Sequence, residues 1–339
     1  MLTVRDVSTP LDMTTREQSP QRFDLKDVFF IAGPTAVGKS ELAADVARNL
    51  DAEIVSADAF QIYHGLELLT AKPDAATLAQ VPHHLIGTMS VLQEMNAAEF
   101  RQLALREINE IQSHGKLAVV VGGSGLYIKA LTHGFDAAPS AHPELRAELN
   151  KLTSDQLREK LVDLNPETAR KIDMKNRRRV VRALEICLLT DKRVSTQRMQ
   201  AVAGVVDPGR LRSAPLSEAA PKGVFVFRGR EELHKRINQR VEAMFEHGVI
   251  DEVRAIDEIG ATASKMIGFK EIRQYLDGEM STSQCVEKIQ QATRQYAKRQ
   301  LTWFRHQTSF EPLNLSLLTH KEAVERISQR ASLPGRAKG

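Results

Sequence analysis

A phosphate-loop pattern near the N-terminus constrains the fold of this chain more than any other feature. The pattern G-x-x-x-x-G-K-[S/T] is matched by Gly33-Pro34-Thr35-Ala36-Val37-Gly38-Lys39-Ser40. It follows an apolar run, residues 28–32, and precedes a helical pattern with its apolar positions on one face. In that context the loop amides cradle phosphate oxygens, and the helix adds its positive end. We therefore predict a diphosphate or polyphosphate site, with Lys39 bridging phosphates and Ser40 ligating Mg²⁺.

Length and composition indicate a globular chain of about two domains. Its 339 residues are 42% hydrophobic and 27% charged, and the sequence pI is about 9.0. The two cysteines, Cys187 and Cys285, lack metal-ligand spacing, which predicts the reducing cytoplasm and no zinc site. No apolar run approaches the roughly 18 residues of a membrane span. We expect a monomer with no membrane association, preceded by a mobile extension over residues 1–26 that lacks a signal-peptide core.

Strands and helices alternate over residues 27–136, which predicts the first part of an α/β core with a P-loop-type parallel sheet flanked by helices. Residues 53–57 read as a strand that ends at Asp58, and residues 117–121 read as a buried strand stopped by Gly122-Gly123-Ser124. Ligands of such sheets lie at the carboxyl ends of the strands. We therefore expect Asp58, the glycine turn and the phosphate loop at one site.

The chain changes character after residue 136. Helical patterns dominate residues 136–200, including a helix over residues 176–185 with a dense basic face, and residues 201–222 read as a loop. A strand returns at residues 224–227, and a long later helix can be capped by Ser281 or Ser283. We predict a helical insertion domain at 137–212, core completion with a basic helical region at 213–315, and a loose tail at 316–339.

Several side chains could act beside a bound phosphate. Asp58 could serve as a metal partner, as a general base, or only as a helix N-cap or loop carboxylate. Ser124 could contact a nucleobase or a phosphate. Arg236 and Arg240 lie four apart on one predicted helix, where they could neutralise charge on a leaving diphosphate.

Two basic regions point towards nucleic acid. Residues 297–305 interleave basic and aromatic side chains, and residues 177–182 carry a second basic face. Together they could track a phosphate backbone, although two solvated helical faces are the alternative. Trp303 and Phe304 are more often core residues than stacking platforms.

The separate pieces, in this order, resemble the tRNA dimethylallyltransferase family, also called the tRNA isopentenyltransferases. The resemblance covers about residues 28–310. It rests on the phosphate loop, Asp58 through Tyr63, Thr70-Ala71-Lys72-Pro73, Pro82-His83-His84-Leu85, Val121 through Tyr127, Arg182-Ala183-Leu184-Glu185, Ile267-Gly268-Phe269-Lys270-Glu271 and Ala292 through Gln300.

The resemblance implies transfer of a dimethylallyl group from dimethylallyl diphosphate to N6 of the adenosine just 3′ of a tRNA anticodon. The donor's diphosphate would then bind Mg²⁺ and the phosphate loop, that is Gly33, Pro34, Thr35, Ala36, Val37, Gly38, Lys39 and Ser40. Asp58 would be the general base, and Arg240 with Lys39 would support the leaving group.

The same resemblance implies the tRNA anticodon stem-loop as partner. The family's tRNA-contact segments fall on Asp58, Ala59, Phe60, Gln61, Ser124, Arg146, Arg178, Arg179, Val180, Val181, Arg182, Lys265, Met266, Ile267, Gly268, Phe269, Lys270, Lys298, Arg299, Gln300, Leu301, Thr302, Trp303, Phe304 and Arg305.

Three other functions stay open from the sequence. An adenylate isopentenyltransferase would prenylate free AMP, but such enzymes lack the helical insertion and the long basic C-terminal segment. A small-molecule P-loop kinase would consume ATP without a prenyl donor. A non-enzymatic RNA-binding switch would not need Asp58.

Overall fold

The computed structural model describes residue 25, residues 27–134, residue 139, residues 142–190 and residues 221–332. Six parallel strands form one sheet in the order β3-β2-β4-β1-β5-β6, which places the strand before the phosphate loop inside the sheet. The strands are β1 (Val28–Ala32), β2 (Glu53–Ser56), β3 (His83–His84), β4 (Ala118–Gly122), β5 (Lys222–Phe227) and β6 (Glu311–Asn314). The predicted parallel α/β sheet is confirmed.

Helices cover both faces of the sheet. They are α1 (Lys39–Asn49), α2 (Ala75–Leu78), α3 (Ala97–Ser113), α4 (Gly125–His133), α5 (Pro143–Lys151), α6 (Ser154–Leu164), α7 (Pro166–Lys171), α8 (Arg177–Thr190), α9 (Arg230–Glu246), α10 (Val249–Arg254), α11 (Phe269–Leu276), α12 (Thr282–Gln307) and α13 (His320–Ser332). No helix in these described ranges is long and apolar enough to cross a membrane.

Alternating residues of β1 divide the core into two layers. Phe29 and Ile31 pack in the layer that contains α1 and α13, whereas Phe30 packs in the layer that contains α3, α4 and α12. Because successive strand side chains point to opposite faces, a continuous apolar strand is what burial on both faces requires. All five residues of β1 are buried.

Helices α5 to α8 form a separate hydrophobic cluster. Leu149, Leu157, Leu161 and Leu184 are among its buried members. The chain then returns to the sheet as β5, beside β1. Helices therefore do occupy the described part of the predicted insertion, while its exact boundaries remain a prediction and the predicted loop at 201–222 falls almost entirely outside the described residues.

The long helix α12 begins where the sequence predicts. Ser281 is its N-cap: Gln284 N donates to Ser281 Oγ at 3.3 Å, and Ser281 N donates to Gln284 Oε1 at 2.9 Å. This reciprocal capping box satisfies two backbone donors at the helix end. The helix carries a buried stripe that includes Ile289, Ala297 and Phe304, so it is fixed against the core along its length.

The predicted loose tail is wrong for residues 316–332. After β6 the chain forms α13, whose Ala323, Val324, Ile327 and Ala331 are buried against α1 and the sheet. These four residues form an apolar stripe at helical spacing, which accounts for the packing. The sequence predicts a loose segment because most of the residues around the stripe are polar. Residues 333–339, like 1–24, lie outside the described residues.

Candidate active site

The phosphate loop runs from the end of β1 to the start of α1. Gly38 is the N-cap of α1 and has a φ of 96°, a left-handed conformation that a side chain would strain. Ala36 also has a positive φ, 62°, so the loop is tightly curled. Because α1 begins at Lys39, the free amides and positive end of that helix lie at the loop. This local geometry suits an anion.

Three arginines that follow β5 bind three successive residues of this loop. The pairs are Arg228 Nε to Val37 O at 2.9 Å, Arg236 Nε to Ala36 O at 2.9 Å and Arg240 Nη2 to Thr35 Oγ1 at 2.8 Å. Arg228 is not among the site residues predicted from the sequence. Its position directly after the carboxyl end of a strand neighbouring β1 is the signal that could have identified it.

Arg240 combines a hydrogen bond to the phosphate loop with a position on the wall of the main cavity. Its Nε is buried without a hydrogen-bond partner among the described residues. Burial lowers the pKa of Arg240, the Asp58 carboxylate opposes that shift, and the charge of Arg236 adds to it. A buried guanidinium with an unused N–H is well placed to bind an oxyanion.

Lys39 lies at the centre of the same cluster. Its Nζ donates to Pro34 O at 2.6 Å, which holds the ammonium over the loop. Burial lowers the pKa of Lys39 to about 8; the charge of Asp58 raises it, and that of Arg240 lowers it. A bound anion would supply the negative charge that the ammonium lacks here.

Asp58 follows β2 at the same edge of the sheet. Its Oδ1 accepts from Phe60 N at 2.9 Å and from Gln61 N at 3.3 Å, so the carboxylate does cap the turn. Neither of these bonds uses Oδ2. Asp58 also lines both cavities described below, so the capping role and a chemical role are compatible.

Gln300 joins the long helix α12 to the phosphate loop. Its side chain is buried, and its Oε1 accepts from Thr35 N at 2.9 Å. Its Nε2 donates to Gly123 O at 2.8 Å, which ties in the turn after β4. One amide therefore connects the loop, the glycine turn and the helix that carries the basic segment.

Ser124 and Tyr296 complete the surroundings of Asp58. Ser124 Oγ accepts from Ala59 N at 3.0 Å, which supports the turn after Asp58. Burial raises the pKa of the Tyr296 phenol, and the charge of Asp58 raises it further, whereas bonds to Ser124 and Gln300 oppose the shift. The phenol therefore stays protonated and can donate a hydrogen bond.

The segment Thr70-Ala71-Lys72-Pro73 forms another wall. Gln61 Nε2 donates to Ala71 O at 3.0 Å, so Gln61 is engaged inside the protein. Lys72 Nζ pairs with Glu67 at 3.0 Å and its side chain is 5% exposed, so this lysine is held inside the protein. Both residues line the main cavity.

Two connected cavities meet at these residues. The main cavity has a volume of about 940 Å³ and is lined by the phosphate loop, Asp58, the Thr70 segment and α9. A smaller void of about 60 Å³ shares Thr35, Asp58 and Arg240 with it. The remaining walls of that void are mostly aliphatic, including Val241 and Ile289. An anion-binding loop, a carboxylate and an apolar recess are thus in contact.

A second, open groove of about 950 Å³ runs along one face of α12. It is lined by Gln295, Lys298, Arg299, Thr302, Trp303, His306 and Gln307. The Trp303 indole packs against Gly125, where a Cβ would lie 2.4 Å from Cδ2, and lies edge-on to Phe304 with ring centroids 5.0 Å apart. Trp303 is therefore fixed in place while it remains part of the groove.

A second basic area lies where the helical cluster approaches the core. Burial lowers the pKa of Lys265, and the positive charge of Arg178 lowers it further, while Glu94 opposes the shift. Arg178 and Lys265 are both exposed, as are Lys270, Lys298, Arg299, Thr302 and Arg305. Like charges held close together at a surface suit a polyanionic partner.

Several predicted contact residues are engaged in ion pairs within the protein or are buried. Arg146 and Arg182 both pair with Glu185, which is 0% exposed, so these arginines neutralise a buried carboxylate. Other predicted tRNA-contact residues have buried apolar side chains, and these alternate with surface residues because they lie on the inner face of their segments. They are Val180, Val181, Met266, Phe269 and Phe304. Ile267 and Leu301 are half-buried, and Gly268 is buried.

Comparison with known proteins gives one consistent family. The model of the family described as IPP transferase matches residues 61–307. The tRNA dimethylallyltransferase 1 of Citrifermentans bemidjiense is 41% identical over 281 residues, which cover 82% of this chain and 88% of that protein. The tRNA dimethylallyltransferase of Akkermansia muciniphila is 40% identical over 301 residues, covering 88% and 98%.

Solved structures agree. The tRNA isopentenylpyrophosphate transferase of Bacillus halodurans is 32% identical, with a TM-score of 0.63 over 90% of this chain and 95% of that one. A eukaryotic dimethylallyltransferase acting on tRNA has a TM-score of 0.72 over 88% of this chain and 77% of that one. At 24% identity this second structure supports the fold alone.

Proposed function

The chain belongs to the IPP transferase family, and from that premise we propose that it transfers a dimethylallyl group from dimethylallyl diphosphate to N6 of the adenosine 3′-adjacent to the anticodon in tRNA. Diphosphate is the second product. The observation that carries the proposal is the meeting of an anion-binding loop, Asp58 and an apolar recess at one cavity.

The diphosphate end of the donor fits the phosphate loop. Loop amides, the Lys39 ammonium and the unused Nε of Arg240 offer hydrogen bonds where negative charge grows as the allylic C–O bond breaks. Because the protein already holds these hydrogen-bonding groups in place before dimethylallyl diphosphate binds, they need little reorganisation during the reaction.

The loop also suits Mg²⁺. Ser40 follows the loop lysine on the first turn of α1 and lines the cavity, so its hydroxyl would be the protein ligand, with diphosphate oxygens and water completing the shell. The described residues contain no cluster of three or more His, Cys, Asp or Glu that could bind a metal by itself. This fits an ion that arrives with the donor and neutralises diphosphate charge.

Asp58 is the proposed general base. The N6 nitrogen forms a bond to C1 of the dimethylallyl group, the C1–O bond breaks, and the electron pair leaves with the diphosphate. The proton released by N6 passes to the Asp58 carboxylate, whose Oδ2 is not used in capping. A positioned carboxylate contributes about 10²–10⁴-fold to such a step.

The acceptor is proposed to be tRNA because of the surfaces around the cavity. The adenine must leave the anticodon-loop stack to reach Asp58, at a cost of a few kcal/mol. The basic groove on α12 and the area at Arg178 and Lys265 would offset that cost by binding the flanking backbone. Gln300 attaches α12, the helix that carries the groove, to the phosphate loop proposed to bind the donor.

Free AMP as acceptor is the rival that the same chemistry allows. It would use the loop and Asp58 but would have no need for α5 to α8 or for the groove. A small-molecule kinase would need no apolar recess. Both the groove and the recess are present, so the tRNA reaction explains more of the chain.

The decisive experiment is product analysis. Purified protein would be incubated with dimethylallyl diphosphate, Mg²⁺ and bulk tRNA, followed by digestion to nucleosides and mass spectrometry, with AMP as the competing acceptor. We expect N6-dimethylallyladenosine from tRNA and no prenylated AMP. Prenylated AMP alone, or ATP consumption without donor, would refute the proposal.

We further propose that the protein acts as a monomer in the cytoplasm. Both cysteines are buried thiols that form no disulfide among the described residues, which is the state expected in a reducing compartment. Sedimentation of the free protein and of its tRNA complex would measure the stoichiometry. A dimer in both states would contradict the proposal that the protein acts as a monomer.

A further inference from the structure

The small void beside Asp58 is divided into a polar mouth and apolar walls. Its polar lining residues Thr35, Asp58 and Arg240 also line the main cavity. Its volume of about 60 Å³ exceeds the minimum of about 10–15 Å³ that one water-sized group requires. If the diphosphate occupies the phosphate loop, this void is where a short hydrocarbon chain attached to it can be buried.

Leu69 lines the void together with Ile289 of α12, and both side chains approach Gly268 at the start of α11. A Cβ placed on Gly268, the N-cap of α11, would lie 2.9 Å from Leu69 Cδ1 and 3.4 Å from Ile289 Cδ1. Both side chains therefore pack close to this glycine, which leaves no room there for a larger residue. Leu69 is 7% exposed.

The backbone of Leu69 is held by a carboxylate from α10. Glu252 Oε2 accepts from Leu69 N at 2.8 Å, and Glu252 Oε1 accepts from Leu68 N at 2.8 Å. Displacing the backbone at Leu69 would break charge-assisted hydrogen bonds to this carboxylate, which is energetically unfavourable. A longer chain would have to displace this turn or the packed side chains around Gly268.

We propose that Leu69 limits the donor to a five-carbon prenyl chain. This inference rests on the proposed function and names the residue that sets the donor length. Apolar walls discriminate by volume, and one surplus methylene in a closed apolar pocket costs about 10–200-fold in kcat/KM. Two surplus carbons at the tail would therefore be rejected by at least that factor.

The test compares two donors on the same tRNA. The donors are dimethylallyl diphosphate and 3-methylhex-2-enyl diphosphate, which is two carbons longer, and the readout is the ratio of their kcat/KM values. Wild-type protein should favour the shorter donor, and Leu69→Ala should reduce that preference at least about tenfold. Leu69→Phe should instead raise the KM for dimethylallyl diphosphate and leave tRNA affinity unchanged.

Leu105→Ala is the matched control. Leu105 is 4% exposed in α3, so the same atoms are lost from a buried site that does not line the void. Its donor ratio should equal that of the wild type. If Leu69→Ala does not fold, Leu69→Val should shift the ratio in the same direction by a smaller factor.

The possible failures are distinguishable. An unchanged donor ratio in folded Leu69 variants would overturn the role of Leu69 while leaving the proposed function intact. A wild-type protein that transfers neither chain to tRNA would overturn the proposed function and this inference together. Equal use of both donors by the wild type would also refute a length limit.

Discussion

The side-chain oxygen Oε1 of Gln300 lies 2.9 Å from the backbone nitrogen of Thr35. The two residues are 265 positions apart in sequence. Through this bond the helix α12, which carries the basic groove, is attached directly to the loop that we assign to the donor's diphosphate. The geometry of the donor site therefore depends on the position of the helix proposed to bind tRNA.

Replacing Gln300 with leucine should damage the donor site more than the tRNA surface. The change leaves Thr35 N and Gly123 O without partners, and each buried unpaired group costs about 1–3 kcal/mol. We expect kcat/KM for the donor to fall about 10–100-fold, measured at saturating tRNA. Gln290→Leu is the control, because Gln290 lies on the same helix but bonds to Glu242. Equal losses in both variants would contradict the link.

Donor binding should depend on pH through Lys39. Its pKa in the free protein is about 8, so the ammonium is charged below that pH and neutral above it. A bound diphosphate raises this pKa because it stabilises the charged ammonium. The affinity for the donor is therefore highest below pH 8, and it falls above that pH by up to about tenfold per pH unit. The donor KM measured from pH 7 to 9.5 should show this rise.

Lys39→Arg provides the control for that profile. Arginine stays charged over the whole range, so the variant should bind the donor less well but with a flat profile. Parallel profiles for the two proteins would assign the titration to another group.

The arginines should separate into two classes. Arg178→Ala and Arg299→Ala should weaken tRNA binding, and each should reduce the slope of the log binding constant against log salt concentration by about 1. Neither substitution should change the free energy of unfolding. Arg182→Ala should instead lower the free energy of unfolding by about 2 kcal/mol, because it removes a charged partner of buried Glu185. Salt-titrated binding and urea unfolding measure the two effects, and an unchanged stability of Arg182→Ala would refute the distinction.

Trp303 is the single tryptophan of the chain, so its fluorescence reports directly on the groove. Binding of an anticodon stem-loop should change that emission. Gly125→Ala should displace the indole, because the new Cβ would lie 2.4 Å from Cδ2. We expect weaker stem-loop binding, within the range of about 1–3 kcal/mol for a lost stacking contact. Unchanged emission on saturation with RNA would exclude a contact at Trp303.

Local patterns were sufficient to predict the parts of the site that lie in one segment. The phosphate loop, Asp58 and the cap at Ser281 depend on neighbours within a few residues, and the structure has each of them where the sequence placed it. Parallel strands then bring the loop and Asp58 to one edge, which the α/β pattern also implies.

The contacts between distant segments could not be predicted in this way. A basic helical face looks the same whether its arginines bind a partner or, like Arg182, neutralise a buried Glu185. Likewise, nothing local marks Gln300 as a ligand of the phosphate loop. These roles arise only from the packing of whole elements.

The most direct test of the account is the single-turnover rate of Asp58→Asn. Asparagine keeps an Oδ1 acceptor for Phe60 N and Gln61 N, so the turn is preserved while the base is removed. In a preformed complex with donor, Mg²⁺ and tRNA, we predict a rate lower by about 10²–10⁴-fold with unchanged tRNA and donor dissociation constants. A rate equal to that of the wild type, or a loss confined to binding, would contradict the assignment of Asp58 as the base.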